Sequence, residues 1–221
     1  MIDAINRHKV QFISEPLDRG LPMDPLYALE AVEVQGKDTL EVFLEKGWDI
    51  NQSVSELRPP VLGYAITDEE ITTWLLNHGA DPNQQCIIDL TPLSLAVESA
   101  SISVIQLMFR HGGDVRKGQL LHHAVERCSD NIPVLKLLIA NGADINSTMY
   151  EGHYSSRALF CFMPRGTALH KAAGFGKVDV VRYLVDEGVD LSIRDANGRT
   201  ALEYARMLDQ GEVVRVLEGG S

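Results

Sequence analysis

Five stretches of this chain end in the same way. WLLNHGADPN (74–83), LKLLIANGADIN (135–146), RYLVDEGVDLS (182–192), VFLEKGWDIN (42–51) and QLMFRHGGDV (106–115) each run a helical apolar period up to a glycine and continue to an aspartate. Glycine ends helices because, lacking a Cβ, it enters the left-handed region at little cost, so Gly47, Gly79, Gly112, Gly142 and Gly188 read as stop signals. A second family of short helices shares an opening: TPLSLAV (91–97), QLLHHAV (119–125), TALHKAA (167–173) and TALEYAR (200–206), with weaker versions in DPLYALE (24–30) and PVLGYAI (60–66). Helix pairs recurring in register point to a repeat array. Each unit there cannot bury its apolar face alone and relies on its neighbours.

These residues resemble the ankyrin repeat, whose signature runs T-P-L-H-x-A-A, a second helix, then G-A-D. The segment GTALHKAAGFGKVDVVRYLVDEGVDLSIRDANGRTALEYA (166–205) follows it almost position by position, and the resemblance extends over roughly residues 7–218. It implies an all-α ankyrin-repeat solenoid: stacked helix-turn-helix units with β-hairpin-like fingers, about five to six of them plus an N-terminal half-repeat. The expected boundaries within one domain are a half-repeat cap at 1–23, units at 24–56, 57–87, 88–115, 116–146 and 164–194, and a C-terminal cap at 195–218. The last Gly-Gly-Ser reads as linker, as in a piece of a longer chain. Ala31, Ala65, Ala96, Ala124, Ala172 and Ala205 are the small residues that let inner helices approach, and Thr91, Thr167 and Thr200 stand at N-cap positions. The resemblance also implies that His122 and His170 bridge neighbouring turns by hydrogen bonds.

The spacing from each terminal glycine to the next helix opening measures the connecting finger. It is 12 from Gly79 to Thr91 and from Gly188 to Thr200, 13 from Gly47 to Pro60, 7 from Gly112 to Gln119 and 25 from Gly142 to Thr167. One finger is therefore clipped by five residues and the next is lengthened by thirteen. The long finger, 147–166, is expected to fold over the gap left by its short neighbour. Doubling a loop costs only ~0.6 kcal/mol in closure entropy, so length alone says little. Composition says more. The insert carries Tyr150, Tyr154 and the run ALFCFM (158–163), and burying one Phe is worth roughly 1.5–3 kcal/mol. The run is expected to pack on the protein's own inner helices, to meet a partner, or to be disordered.

Charge narrows the function. The formal net charge is −11, with 8 Lys/Arg against 18 Asp/Glu in residues 1–116 and 5 against 4 in residues 117–166. With no basic stripe, nucleic acid and anionic membranes are not expected partners, since phosphate neutralisation supplies most of such affinity. No apolar run approaches membrane-spanning length and no secretory h-region opens the chain. The three widely spaced cysteines fit a reducing compartment, so a cytoplasmic location is expected, with the nucleus also compatible. No phosphate loop, nucleophile elbow or metal-ligand spacing is visible. His123, His153, Cys128 and Cys161 do not fall into one, so no catalytic residue, metal or cofactor is expected.

The resemblance implies partner binding through fingertips and the exposed positions of inner helices. The residues this designates are Ile87, Ile88 and Leu90 on one fingertip; Glu98, Arg127 and Phe175 on inner helices; Arg194 and Arg199 on the last finger; and Tyr150, Tyr154, Phe160 and Phe162 on the insert. The expected function is a monomeric, non-catalytic module for a protein or peptide partner, neutral or basic in charge. A different class is a small-molecule-binding or enzymatic ankyrin protein, with 147–166 as a lid over His123, His153 and Tyr154. A third is a scaffold domain within a larger multidomain chain.

Overall fold

A computed structural model describes residues 1–219; the end of the expected linker, Gly220 and Ser221, lies outside the described residues. The described chain forms two compact units, Met1–Gly118 and a second that begins at Gln119.

The first unit contains α1 (Ile2–Asn6), α2 (Val10–Asp18), α3 (Pro25–Glu33), α4 (Lys37–Glu45), the hairpin β1 (Ser53–Ser55) and β2 (Arg58–Pro60), a 3-10 turn (Val61–Tyr64), α5 (Glu69–Asn77), α6 (Pro92–Ser99) and α7 (Ile102–Arg110). An inner row runs α1, α3, 3-10 turn, α6; α2 packs on α4 and α5 on α7 in the outer row. Residues 1–23, expected as a half-repeat, carry both an inner-row helix, α1, and an outer-row helix, α2, and Ile5 and Ile13 are fully buried. The hairpin pairs Ser53 with Pro60 and Ser55 with Arg58, antiparallel.

The second unit contains α8 (Leu120–Glu126), α9 (Asn131–Ala140), α10 (Tyr154–Leu159), α11 (Ala168–Gly174), α12 (Val178–Asp186), α13 (Ala201–Met207) and α14 (Gly211–Leu217). Its inner row is α8, α11, α13 and its outer row α9, α12, α14.

Local chemistry sets these boundaries. Asp24 and Asp68 accept the N–H groups of Leu26 and of Glu70 and Ile71, starting α3 and α5. Thr91, Thr167 and Thr200 open α6, α11 and α13 in reciprocal capping boxes with Ser94, His170 and Glu203. The five stop glycines all sit at positive φ, from +82° to +92°. PVLGYAI forms only a 3-10 turn, and Gly63 sits in it against α6. It is a poor helix former, and a Cβ there would lie 2.8 Å from Leu95 Cδ1 and 3.2 Å from Pro92 Cα, so a larger residue would make Leu95 turn aside and α6 give by a few tenths of an ångström. Each of the six small inner-helix alanines is buried.

The D-x-N ending of three repeats links each finger to the next. Asn51 Oδ1 accepts the Asp81 N–H at 2.7 Å while its Nδ2 donates to the Gly79 carbonyl at 3.0 Å. Asn83 does the same with Asp114 N (2.7 Å) and Gly112 O (2.8 Å), and Asn146 Oδ1 accepts from Asp190 N at 2.8 Å. In the clipped finger the matching residue is Arg116, which turns back onto its own Asp114 at 2.9 Å.

Candidate functional site

In the second unit the insert is anchored at its root. Gly166 accepts the Met149 N–H at 3.0 Å and, from its other side, the His122 Nε2–H at 3.0 Å. Tyr150 takes a left-handed φ of +61° and donates its N–H to Gln119 Oε1 at 3.0 Å, so the long finger is tied to the N-cap residue of α8. His153 caps α10 by accepting the Ser156 N–H, and Ser156 is buried. Tyr150 and Phe160 are half-buried and stack at 5.4 Å, with Phe162 edge-on to Phe160 at 6.5 Å. The rest of the run does not pack inward: Tyr154 is 85% exposed and Phe162 78%, with Leu159 also exposed. The insert therefore packs a small aromatic foot and presents an apolar crest.

Beside its root lies a half-open cleft of about 300 Å³, walled by Met149, Met163 and Pro164 of the insert and by Phe175, Tyr204 and Leu208. Phe175 ends α11 and is 56% exposed. The floor carries His122, His170 and the Glu126–Lys171 ion pair. Burial pushes His122 down to about 4, against the stabilising bond to Gly166. Burial likewise lowers His170, whose Nε2–H donates to the Arg199 carbonyl while Nδ1 accepts from the Thr167 N–H and hydroxyl. Both histidines are neutral cross-ties between turns, as the resemblance implies. For Glu126 burial acts upward, but the hydrogen bonds and charges of His123 and Lys171 outweigh it and hold the carboxyl at about 2. His123, His153 and Tyr154, expected under a lid, do not line this cleft.

The remaining candidates separate by exposure. In the first unit Ile87 is exposed, Ile88, Leu90 and Glu98 are half-buried, and the intervening Asp89 is buried, accepting the Gly118 N–H at 2.8 Å. Ile87 is also tied through its N–H to the Glu56 carbonyl of the preceding hairpin, at 2.9 Å. Arg127 does not stand on the open face that the sequence suggests. It is 6% exposed because α8 ends there and the chain turns inward, its Nε donating to the Ser129 carbonyl at 3.1 Å. On the last finger Arg194 is exposed and pairs with Glu203 at 2.9 Å, whereas Arg199 is held by Asp195 at 2.9 Å and lies over Tyr204. Sequence reading passed over Lys177. Its Nζ donates to the Val125 and Arg127 carbonyls at 2.6 Å each, and with Asn131 it completes the C-terminal end of α8. The signal was a lysine just after the G-F-G turn, at a helix start where a cation has no local role.

Capped helix pairs in two stacked rows, cross-tied by neutral histidines and finger asparagines, define a helical repeat protein. A family model for ankyrin repeats in three copies matches residues 62–149 and 152–219, and the chain belongs to the ankyrin repeat family. The break between the two matches falls inside the insert. Among curated proteins, the mouse (Mus musculus) B-cell lymphoma 3 protein homolog is 32% identical over 59% of this chain and 26% of its own length. The Caenorhabditis elegans E3 ubiquitin-protein ligase hecd-1 is 34% identical over 60% of the chain and 4% of its own, and the Bos taurus mitochondrial disaggregase 31% over 65% and 20%. The chain thus spans 26% or less of the length of these relatives. Ankyrin repeats are generally protein–protein interaction modules and are typically not enzymes. No described helix is long and apolar enough to cross a membrane.

Proposed function

We propose that this chain is a non-catalytic, monomeric protein-binding module whose second unit seats one large apolar side chain of a protein or peptide partner in the cleft beside Phe175. The observation that carries this reading is the juxtaposition of an exposed aromatic, Phe175, with a half-open cleft whose walls are mostly apolar. Interface anchors are enriched in aromatic residues and sit in preformed pockets. The floor of this one is rigid, since its histidines, Glu126 and Lys171 are all hydrogen-bonded within the unit. The Ile87 fingertip is a separate contact belonging to the first unit. The net charge of −11 draws basic partners at long range and repels acidic ones, so a neutral or basic partner is favoured, and the three unpaired cysteines fit the cytoplasm or nucleus.

The test is binding of a partner, found by proximity labelling, to Phe175→Asp and Ile88→Asp variants alongside thermal melts. Phe175→Asp is expected to weaken binding about tenfold or more with Tm almost unchanged, as for an anchor residue. Unchanged partner affinity would remove this placement, and a tightly bound metabolite in place of a protein would favour the small-molecule class.

A further inference from the structure

The insert that bears the crest has a local charge opposite to that of the chain. Residues 147–166 carry Arg157 and Arg165 against Glu151, and Glu151 accepts a hydrogen bond from Thr148 within the insert. Arg165 donates to the Arg157 carbonyl at 3.0 Å, and among the described residues neither guanidinium forms an ion pair. These two cations stand in the same short segment as the exposed Tyr154, Leu159 and Phe162.

Resting on the protein-binding reading, we propose that this crest docks an acidic amphipathic segment of the partner, its apolar side chains on Tyr154, Leu159 and Phe162 and its carboxylates on Arg157 and Arg165. An exposed apolar patch of this kind marks an interface. Guanidinium groups without a carboxylate offer the planar, bidentate recognition that carboxylates fit best. Other occupants are disfavoured by the same charges. A second copy in a two-fold arrangement would bring the two arginines toward their own counterparts. An anionic lipid surface would meet a protein of net charge −11. A basic segment would be repelled at contact. Long-range steering and local docking do not conflict, because within a Debye length of about 8–10 Å the nearest charges decide. The acidic segment can belong to a partner that is neutral or basic overall.

The test is selection of a random peptide library displayed on phage against the full chain, repeated with the Arg157→Glu/Arg165→Glu variant after circular dichroism confirms its fold. Expected binders combine aromatic or leucine residues with several carboxylates. They should lose about tenfold or more in affinity on the double charge reversal and less on Phe175→Asp, and reselection on the variant should switch to lysine- and arginine-rich sequences. Binders indifferent to Arg157 and Arg165 but lost in Phe175→Asp overturn this inference and leave the protein-binding reading standing. Insert-dependent dimerisation, or insert-dependent binding to phosphatidylserine vesicles, overturns it in favour of those occupants. Recovery of no peptide at either site counts against both.

Discussion

His122 makes the stability of the second unit depend on acid in a calculable way. The residue is 2% exposed, its Nε2–H donates to the Gly166 carbonyl at the root of the insert, and burial holds its folded pKa at about 4. An unfolded histidine titrates near 6.5, so the proton prefers the unfolded chain. The stability conferred by the neutral ring is complete above pH 6.5 and is lost as pH falls from there toward 4. Relative to pH 7 the loss is ~2 kcal/mol at pH 5 and ~3 kcal/mol at pH 4. His170, lowered by the same burial, acts in the same direction. Glu126 acts lower: its contribution is full above about 4.5, the ordinary value, and disappears only as pH falls through about 2. Between pH 7 and 5 the histidines therefore dominate. His122→Gln keeps a donor for the Gly166 carbonyl and removes the titration. Urea unfolding of the full chain at pH 7, 6 and 5 is to be followed by far-UV circular dichroism, with hydrogen exchange of the α8 and α11 amides. Both tryptophans, Trp48 and Trp74, lie in the first unit, so their fluorescence follows that unit separately. The wild type should lose about 2 kcal/mol more than His122→Gln over this range. Equal losses in the two proteins would refute the reasoning.

Three further substitutions probe individual ties. Gly166→Ala would drive a methyl group into the His170 ring and should cost about 1–3 kcal/mol, lowering Tm by roughly 2–12 °C in a thermal melt. Lys177→Met removes one of the two side chains that satisfy the end of α8; urea unfolding should show a loss of about 1–2 kcal/mol, limited because Asn131 stays bonded there. Asn83→Ala breaks the link to Asp114 and Gly112 in the first unit, and hydrogen exchange should register about 1–3 kcal/mol less protection at the Asp114 amide.

The repeat was legible because its punctuation has local physical causes. The stop glycines need positive φ, and the capping threonines act on N–H groups only two or three residues away, so each is readable without knowing the rest of the chain. What escaped depends on contacts distant in sequence. Lys177 serves carbonyls some 50 positions earlier. The preference for glycine at position 63 follows from the approach of Leu95 and Pro92. The D-x-N asparagines were in plain view, but their partners sit in the next finger. For the candidate site, the aromatic richness of the insert was readable, whereas its division into a packed Tyr150–Phe160 foot and an exposed crest was not. That division depends on where the backbone turns at Tyr150 and on the short helix capped by His153. Arg127 shows the same limit. Its position in the repeat suggested an open face, and the end of α8 folds it in.

The central claim is that the Phe175 cleft meets another protein. A photo-crosslinking amino acid placed at position 175, and for comparison at the exposed Asp186 on the outer helix α12, tests it most directly. Irradiation in cells should yield a discrete protein adduct from position 175, absent at 186 and suppressed by a peptide selected for the cleft. Adducts equal in pattern and yield at both positions, or none at 175, would contradict the account.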